Sequence, residues 1–245
     1  MTYRQTPASH GALWFTQGWR LFLQKPLLLL GMLFSTIVIL SLLNFIPLGD
    51  VIGALLGPLL ISGLYTALDH IGNGQVARFE LLFSGFRQHT RPLVVLGLLL
   101  LAVQLFIGLL LFLALGETFF TKIASGELPA EQIFPVALQT APLFFIVVLV
   151  LAIVVLIAYQ FALPLVTLNG IGPMQALKLS LHAGLHNWQA LLVFSLVYLG
   201  LAILATLPML LGWIVLAPVL LCATYAAYRD IFQAARVTPT ETIIA

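Results

Sequence analysis

Long apolar runs separated by short polar stretches organise this chain of 245 residues, and the runs set its architecture. A helix that crosses a bilayer needs about 20 mostly apolar residues. Residues 27–46 make the first such run, and Pro47-Leu48-Gly49-Asp50 forms a tight turn after it. Residues 51–68 return to Asp69 and His70. Residues 92–116 and 142–163 are the third and fourth runs, on either side of an acidic stretch over 117–135. Between Lys178 and Arg229 no Asp, Glu, Lys or Arg occurs, which is too long for one helix. Pro208 and Gly212 divide that stretch into 189–207 and 213–228. Only helices or closed barrels satisfy backbone groups in lipid, and barrel strands would alternate over segments of about ten residues. The continuous runs predict an all-α fold, a polytopic membrane bundle of six transmembrane helices. Residues 1–232 read as a single integral membrane domain and 233–245 as a flexible cytoplasmic tail.

Three shorter segments, each ahead of an odd-numbered span, have amphipathic spacing. In the first, Trp14, Gly18, Leu21 and Phe22 oppose Thr16, Gln17, Arg20 and Gln24. In the second, Phe79, Leu82, Phe83 and Phe86 oppose Glu80, Ser84 and Arg87. In the third, Pro173 opens a helix with Met174, Leu177, Leu181 and Leu185 in one stripe, beside Gln175, Lys178, His182 and His186. All three are expected to lie in the membrane interface on the cytoplasmic side, apolar face down. Their text partly repeats. Gly18-Trp19-Arg20 leads to Lys25-Pro26-Leu27, as Gly85-Phe86-Arg87 leads to Arg91-Pro92-Leu93. Pro47 and Pro58 recur as Pro208 and Pro218, each second proline followed by Tyr65 or Tyr225. The pattern predicts a threefold internal repeat of interfacial helix, span, turn and span.

Charge fixes the orientation. With six crossings and a cytoplasmic N-terminus, nine of the ten Lys and Arg residues fall inside, and Lys122 alone falls outside beside Glu117, Glu127 and Glu131. Cytoplasmic loops carry such an excess of basic residues. Only 7% of residues are charged and 62% are hydrophobic, against roughly 25% charged in soluble domains. The net charge of +2 is small and scattered, which argues against a nucleic-acid partner. The single cysteine, Cys222, permits neither an internal disulfide nor a cysteine zinc site. The first span is expected to be retained, not cleaved as a signal peptide.

The segment from Leu163-Pro164-Leu165 through Asn169-Gly170-Ile171-Gly172-Pro173 to Ala176, Ser180 and Trp188 resembles one shared by the membrane domain of glycerophosphodiester phosphodiesterases and its stand-alone, uncharacterised relatives. Those proteins have a proline-ended span, a Gly-Pro connector, an Ala-x-x-x-Ser helix and a bulky residue opening the next span. The start, Gly18-Trp19-Arg20-Leu21-Phe22 with Pro26, is similar to a family of proteobacterial inner-membrane proteins of about this length. The resemblance implies a bacterial inner-membrane protein. It carries over no catalytic residue, because the phosphodiesterase's soluble barrel is absent.

Candidate chemistry is sparse. No charged residue lies near the centre of a span; the nearest polar candidates are Asn44, Gln104, Gln160 and Tyr198, of the kind that bond between helices. His182 and His186, at i and i+4, have a spacing that can chelate zinc, yet no Asp, Glu or Cys stands close in sequence to complete a site, and no metal or cofactor is expected. Gly49, Gly53 and Gly57 recur every fourth residue, a spacing that lets helices approach within the bundle or across a homodimer seam. Arg20, Lys25, Arg87, Arg91 and Lys178 fall at the cytoplasmic headgroup level. They set topology by snorkelling, or they recognise anionic headgroups. With no G-x-S-x-G, phosphate loop or H-E-x-x-H, an enzyme is not expected. The expected function is a non-enzymatic inner-membrane protein that engages lipids or a membrane partner through its interfacial helices. The alternative is a transporter or channel for a small or amphiphilic solute.

Overall fold

A computed structural model describes residues 2–233, which form an all-α protein of eleven α-helices with a short 3-10 helix and a closing π-helical turn. The tail read from the sequence lies, beyond Gln233, outside the described residues. Six helical stretches are long and apolar enough to cross a membrane: Pro26–Leu43, Gly49–Gly72, Thr90–Leu115, Pro142–Asn169, Trp188–Thr206 and Trp213–Phe232.

The chain divides into two compact units, residues 2–97 with 157–233, and residues 98–156. In the larger unit, α1 (His10–Gln24) ends at Lys25, whose backbone is driven out of the helical region by the following proline. Pro26 then opens α2 (Pro26–Leu43) at the position where a missing N–H costs nothing. A turn through Leu48, at φ 62°, leads to α3 (Gly49–Gly72). The 3-10 helix Phe79–Phe86 precedes α4 (Thr90–Leu115). Further along, the fourth span is broken at Phe161, because Pro164 has no N–H to give the Gln160 carbonyl four residues back. Its last part is α8 (Ala162–Asn169), closed by Gly170 in the left-handed conformation. Pro173 starts α9 (Pro173–His186), and α10 (Trp188–Thr206) and α11 (Trp213–Tyr228) follow.

The core of this unit gathers Trp14 and Phe22 of α1, Leu29 of α2, Leu68 of α3, Leu93 of α4, Phe161, Leu165 of α8 and Tyr225 of α11. Helices in lipid gain little from burying apolar groups, so close backbone approach and hydrogen bonds hold them together. Two approaches stand out. Gly18 lies on the backbone of Ala223 in α11. Gly63 of α3 lies on the Leu81 and Leu82 carbonyls, while Gly85 lies on the Leu59 carbonyl. The second contact presses the 3-10 helix flat against α3. The apolar stripe of Phe79, Leu82, Phe83 and Phe86 divides between two surroundings. Only Leu82 is buried in the protein, and the three phenylalanines are exposed.

The smaller unit holds the remainder of α4, the short helices α5 (Glu117–Ala124) and α6 (Ala130–Thr140), and the first part of α7 (Pro142–Gln160). The acidic connection is thus largely helical. It is organised by aromatic pairs, Phe119 edge-on to Phe120 and Phe134 edge-on to Phe145, with centroids 5.5 and 5.9 Å apart.

Candidate functional site

One end of the larger unit collects nearly all of its polar side-chain bonding between distant segments. At the C-terminal end of α11 the chain tightens into the π-turn Arg229–Gln233. Asp230 there accepts bonds from three side chains near the N-terminus: the Arg4 guanidinium, His10 Nδ1 at 2.7 Å and Trp14 Nε1 at 2.9 Å. Arg4 Nε also donates to the Asp230 carbonyl at 2.7 Å. Next to this cluster, Asn187 at the α9–α10 junction accepts from the Thr6 N–H and hydroxyl at 2.7 and 2.9 Å. Its amide nitrogen donates to the Arg4 and Ala183 carbonyls. A third cluster joins α3 to α11. Tyr225 donates to Asp69 at 2.8 Å, and Arg229 donates to the Gly72 carbonyl while lying over the Tyr225 ring. These contacts lash the N-terminal segment, α3, α9 and α11 together. Asp69 and Asp230 are the acceptors at which those segments meet.

The sequence did not point to these partners, since Trp14 and Asp230 are 216 positions apart. A weak signal existed: Asp69, Glu80, Asp230 and Glu241 are the few acids in the segments rich in Lys and Arg, where a carboxylate next to the spans calls for a cation or donor.

The five headgroup candidates are dispersed. Arg20 is on α1, Lys25 at its end, Arg87 and Arg91 beside the start of α4, and Lys178 on α9; all five are exposed. Among the described residues none forms an ion pair. His182 and His186 each turn Nδ1 back to the carbonyl four residues earlier, at 2.9 and 2.8 Å. Among the described residues no three His, Cys, Asp or Glu side chains converge.

The Gly49, Gly53 and Gly57 series does not make the close helix approach its spacing suggests. Gly49 sits under the Leu43 carbonyl at the α2–α3 turn, Gly53 is in ordinary contact with Leu43, and a Cβ on Gly57 would meet nothing. Tight contacts with another backbone fall at Gly11, Gly18, Gly63, Gly85 and Gly97 instead.

A groove of about 660 Å³ opens beneath α1, between α10 and α11. Leu201, Leu204 and Ala205 form one wall and Val215, Leu216 and Val219 the other. Phe15, Thr16, Trp19 and Arg20 border it from α1. The groove is apolar along its length, with its single charge at the α1 end.

No family model matches this chain, and no solved structure matches it. A curated protein of Burkholderia thailandensis, described as a probable inner membrane protein, is 31% identical to it over 93% of both chains. The chain belongs to this inner-membrane family. With the six apolar helices, that places it as a multi-pass inner-membrane protein.

Proposed function

We propose that this is a non-enzymatic integral inner-membrane protein that engages lipids, or a membrane partner, through α1, the 3-10 helix and α9. One observation carries the reading. Each of these non-spanning helices presents, in it or at its end, a basic group with no ion pair among the described residues, beside exposed large apolar side chains: Arg20 with Trp19 and Leu23, Arg87 with Phe83 and Phe86, Lys178 with Met174. That pairing suits the boundary between headgroups and acyl chains. Arg20, Lys25, Arg87, Arg91 and Lys178 are the headgroup contacts in this reading. Native mass spectrometry of the purified protein should show anionic lipid retained over zwitterionic lipid. Replacing Arg20, Arg87 and Arg91 together by Gln should remove most of that preference, at about 1 kcal/mol per basic group. An unchanged lipid profile would leave these residues with topology alone. Solute flux from reconstituted vesicles would favour a transporter instead.

In this reading both termini, residues 69–91 and residues 165–188 are cytoplasmic, supported by the nine basic residues on that side. Cys222 is buried, so introduced thiols can be labelled over a low background. Gln88→Cys should react with an impermeant reagent from the cytoplasmic face and Ser125→Cys from the opposite face. Labelling of Ser125→Cys only from the cytoplasm would overturn the orientation.

We further infer a threefold repeat and a kinship with the membrane domain of glycerophosphodiester phosphodiesterases. Several features support both. Pro47 and Pro208 are each followed by a non-glycine residue of positive φ, Leu48 and Met209. Pro58 and Pro218 both lie inside helices, and Tyr65 and Tyr225 are both buried. Each short helix docks on the second span of a neighbouring repeat: the 3-10 helix on α3 of the first through Gly85, α9 on the fourth span through Ser180, which bonds Ile157 and Phe161, and α1, closing the cycle, on α11 of the third through Gly18. Ala176 and Ser180, the pair that carries the resemblance, are fully buried on that docking face.

A further inference from the structure

We propose that the groove between α10 and α11 is a site for one anionic phospholipid, with an acyl chain along the groove and the phosphate on Arg20. This rests on the lipid-engaging reading above and narrows it to one place and one lipid class. Leu204 and Val215, on opposite walls, are 61% and 41% exposed, so the groove opens along the flank of the two helices and lipid chains have direct access. Its floor is shaped by small residues, since Gly212 and Ala205 pack backbone to backbone and leave no side chain to fill the space. Those walls offer a free phosphate or a polar solute no partner beyond Arg20 and the Trp19 indole at the mouth, and leave the length of the groove to hydrocarbon.

The α1 end supplies the opposite chemistry. Arg20 borders the groove and has no acidic partner among the described residues, so an anion there meets an uncompensated guanidinium. Thr16 already donates its hydroxyl to the Leu13 carbonyl. Trp19, also on the rim, is 44% exposed, and its indole N–H has no partner among the described residues. A guanidinium and an indole at the mouth of an apolar slot match a phosphodiester above a hydrocarbon chain. α1 is held in register over the slot by the Gly18 contact and the Trp14 bond to Asp230, so the site is built into the fold.

Trp19 gives the readout. The protein is reconstituted into phosphatidylcholine vesicles containing chain-brominated phosphatidylglycerol or, at equal mole fraction, chain-brominated phosphatidylcholine. Quenching is then compared with a Trp19→Phe variant to isolate the Trp19 signal. The brominated anionic lipid should reach half-maximal quenching at a mole fraction about fivefold lower, the factor one basic group contributes near its anionic ligand. Arg20→Gln should abolish the difference. Leu204→Phe with Val215→Phe, both at exposed positions that tolerate bulk, should reduce quenching by either lipid. Arg78→Gln, at an exposed cation outside the headgroup set, should leave it intact. Equal quenching by the two headgroups, or a preference that survives Arg20→Gln, overturns the site, as does protection of Trp19 by a second copy of the chain. If Trp19 shows no preference while the triple-arginine variant still loses anionic lipid in mass spectrometry, the broader reading stands and the groove site falls. If neither responds, both fall.

Discussion

Gly18→Val is expected to cost the protein about 3 kcal/mol and to lower sharply the temperature at which detergent-solubilised material leaves its monodisperse chromatographic peak. A Cβ at this position would stand 2.5 Å from the Ala223 nitrogen and 2.7 Å from its Cα, so α1 must lift off α11. Both atoms are backbone inside a helix, and no rotamer change relieves them. Lifting α1 also draws the Trp14 indole away from Asp230, so packing and hydrogen bonding fail together. Gly57→Ala is the matched control. Its Cβ would meet nothing, and alanine is the better helix former by about 0.5–1 kcal/mol, so stability should hold or rise. If Gly18→Val behaves like an exposed substitution, within about 0.5 kcal/mol, α1 lies on the membrane surface and is not part of the bundle.

The Asp230 cluster should be nearly as sensitive. Asp230→Ala removes the shared acceptor of Arg4, His10 and Trp14. The Trp14 indole N–H is fully buried and would be left without a partner, while Arg4, 43% exposed, can turn to water. The expected loss is about 3 kcal/mol, most of it from the stranded indole and the three lost bonds. Trp14→Phe keeps much of the ring's packing and loses one bond, so about 1 kcal/mol is expected. Unfolding of purified protein in detergent measures both. A ranking with Trp14→Phe worse than Asp230→Ala would mean that ring packing, and not the carboxylate, holds the N-terminal segment.

Length and composition made the spans legible, because a run of apolar residues long enough to cross lipid has few other fates. Periodicity located the short helices but did not say which of their apolar residues touch the protein. On α9 the sequence displays a leucine stripe, yet Met174 and Leu185 are exposed while Ala176, Ser180, Ala183 and Gly184 are buried. In water the large apolar face goes inward. Beside lipid, large apolar side chains are stable outward, and the bundle selects the small residues that let helices touch. Residues 79–86 behave alike: the backbone presses on Gly63, and the phenylalanines turn away from the protein. The Gly49, Gly53 and Gly57 spacing is a necessary condition for close approach and not a sufficient one, since it does not say whether another backbone comes near. The polar clusters and the groove depend on segments far apart in the chain, which no local pattern encodes.

The bonds from Arg4, Thr6, His10 and Trp14 to Asn187 and Asp230 also fix an order of assembly. A ribosome adds about 5–20 residues per second, so the 216 positions from Trp14 to Asp230 take roughly 10–40 s to synthesise. Through that interval the docking face of α1, with Gly18 and the Trp14 indole, has no α11 to receive it. A nascent chain therefore waits with its first helix open, and any product that stops short of Asp230 never closes it.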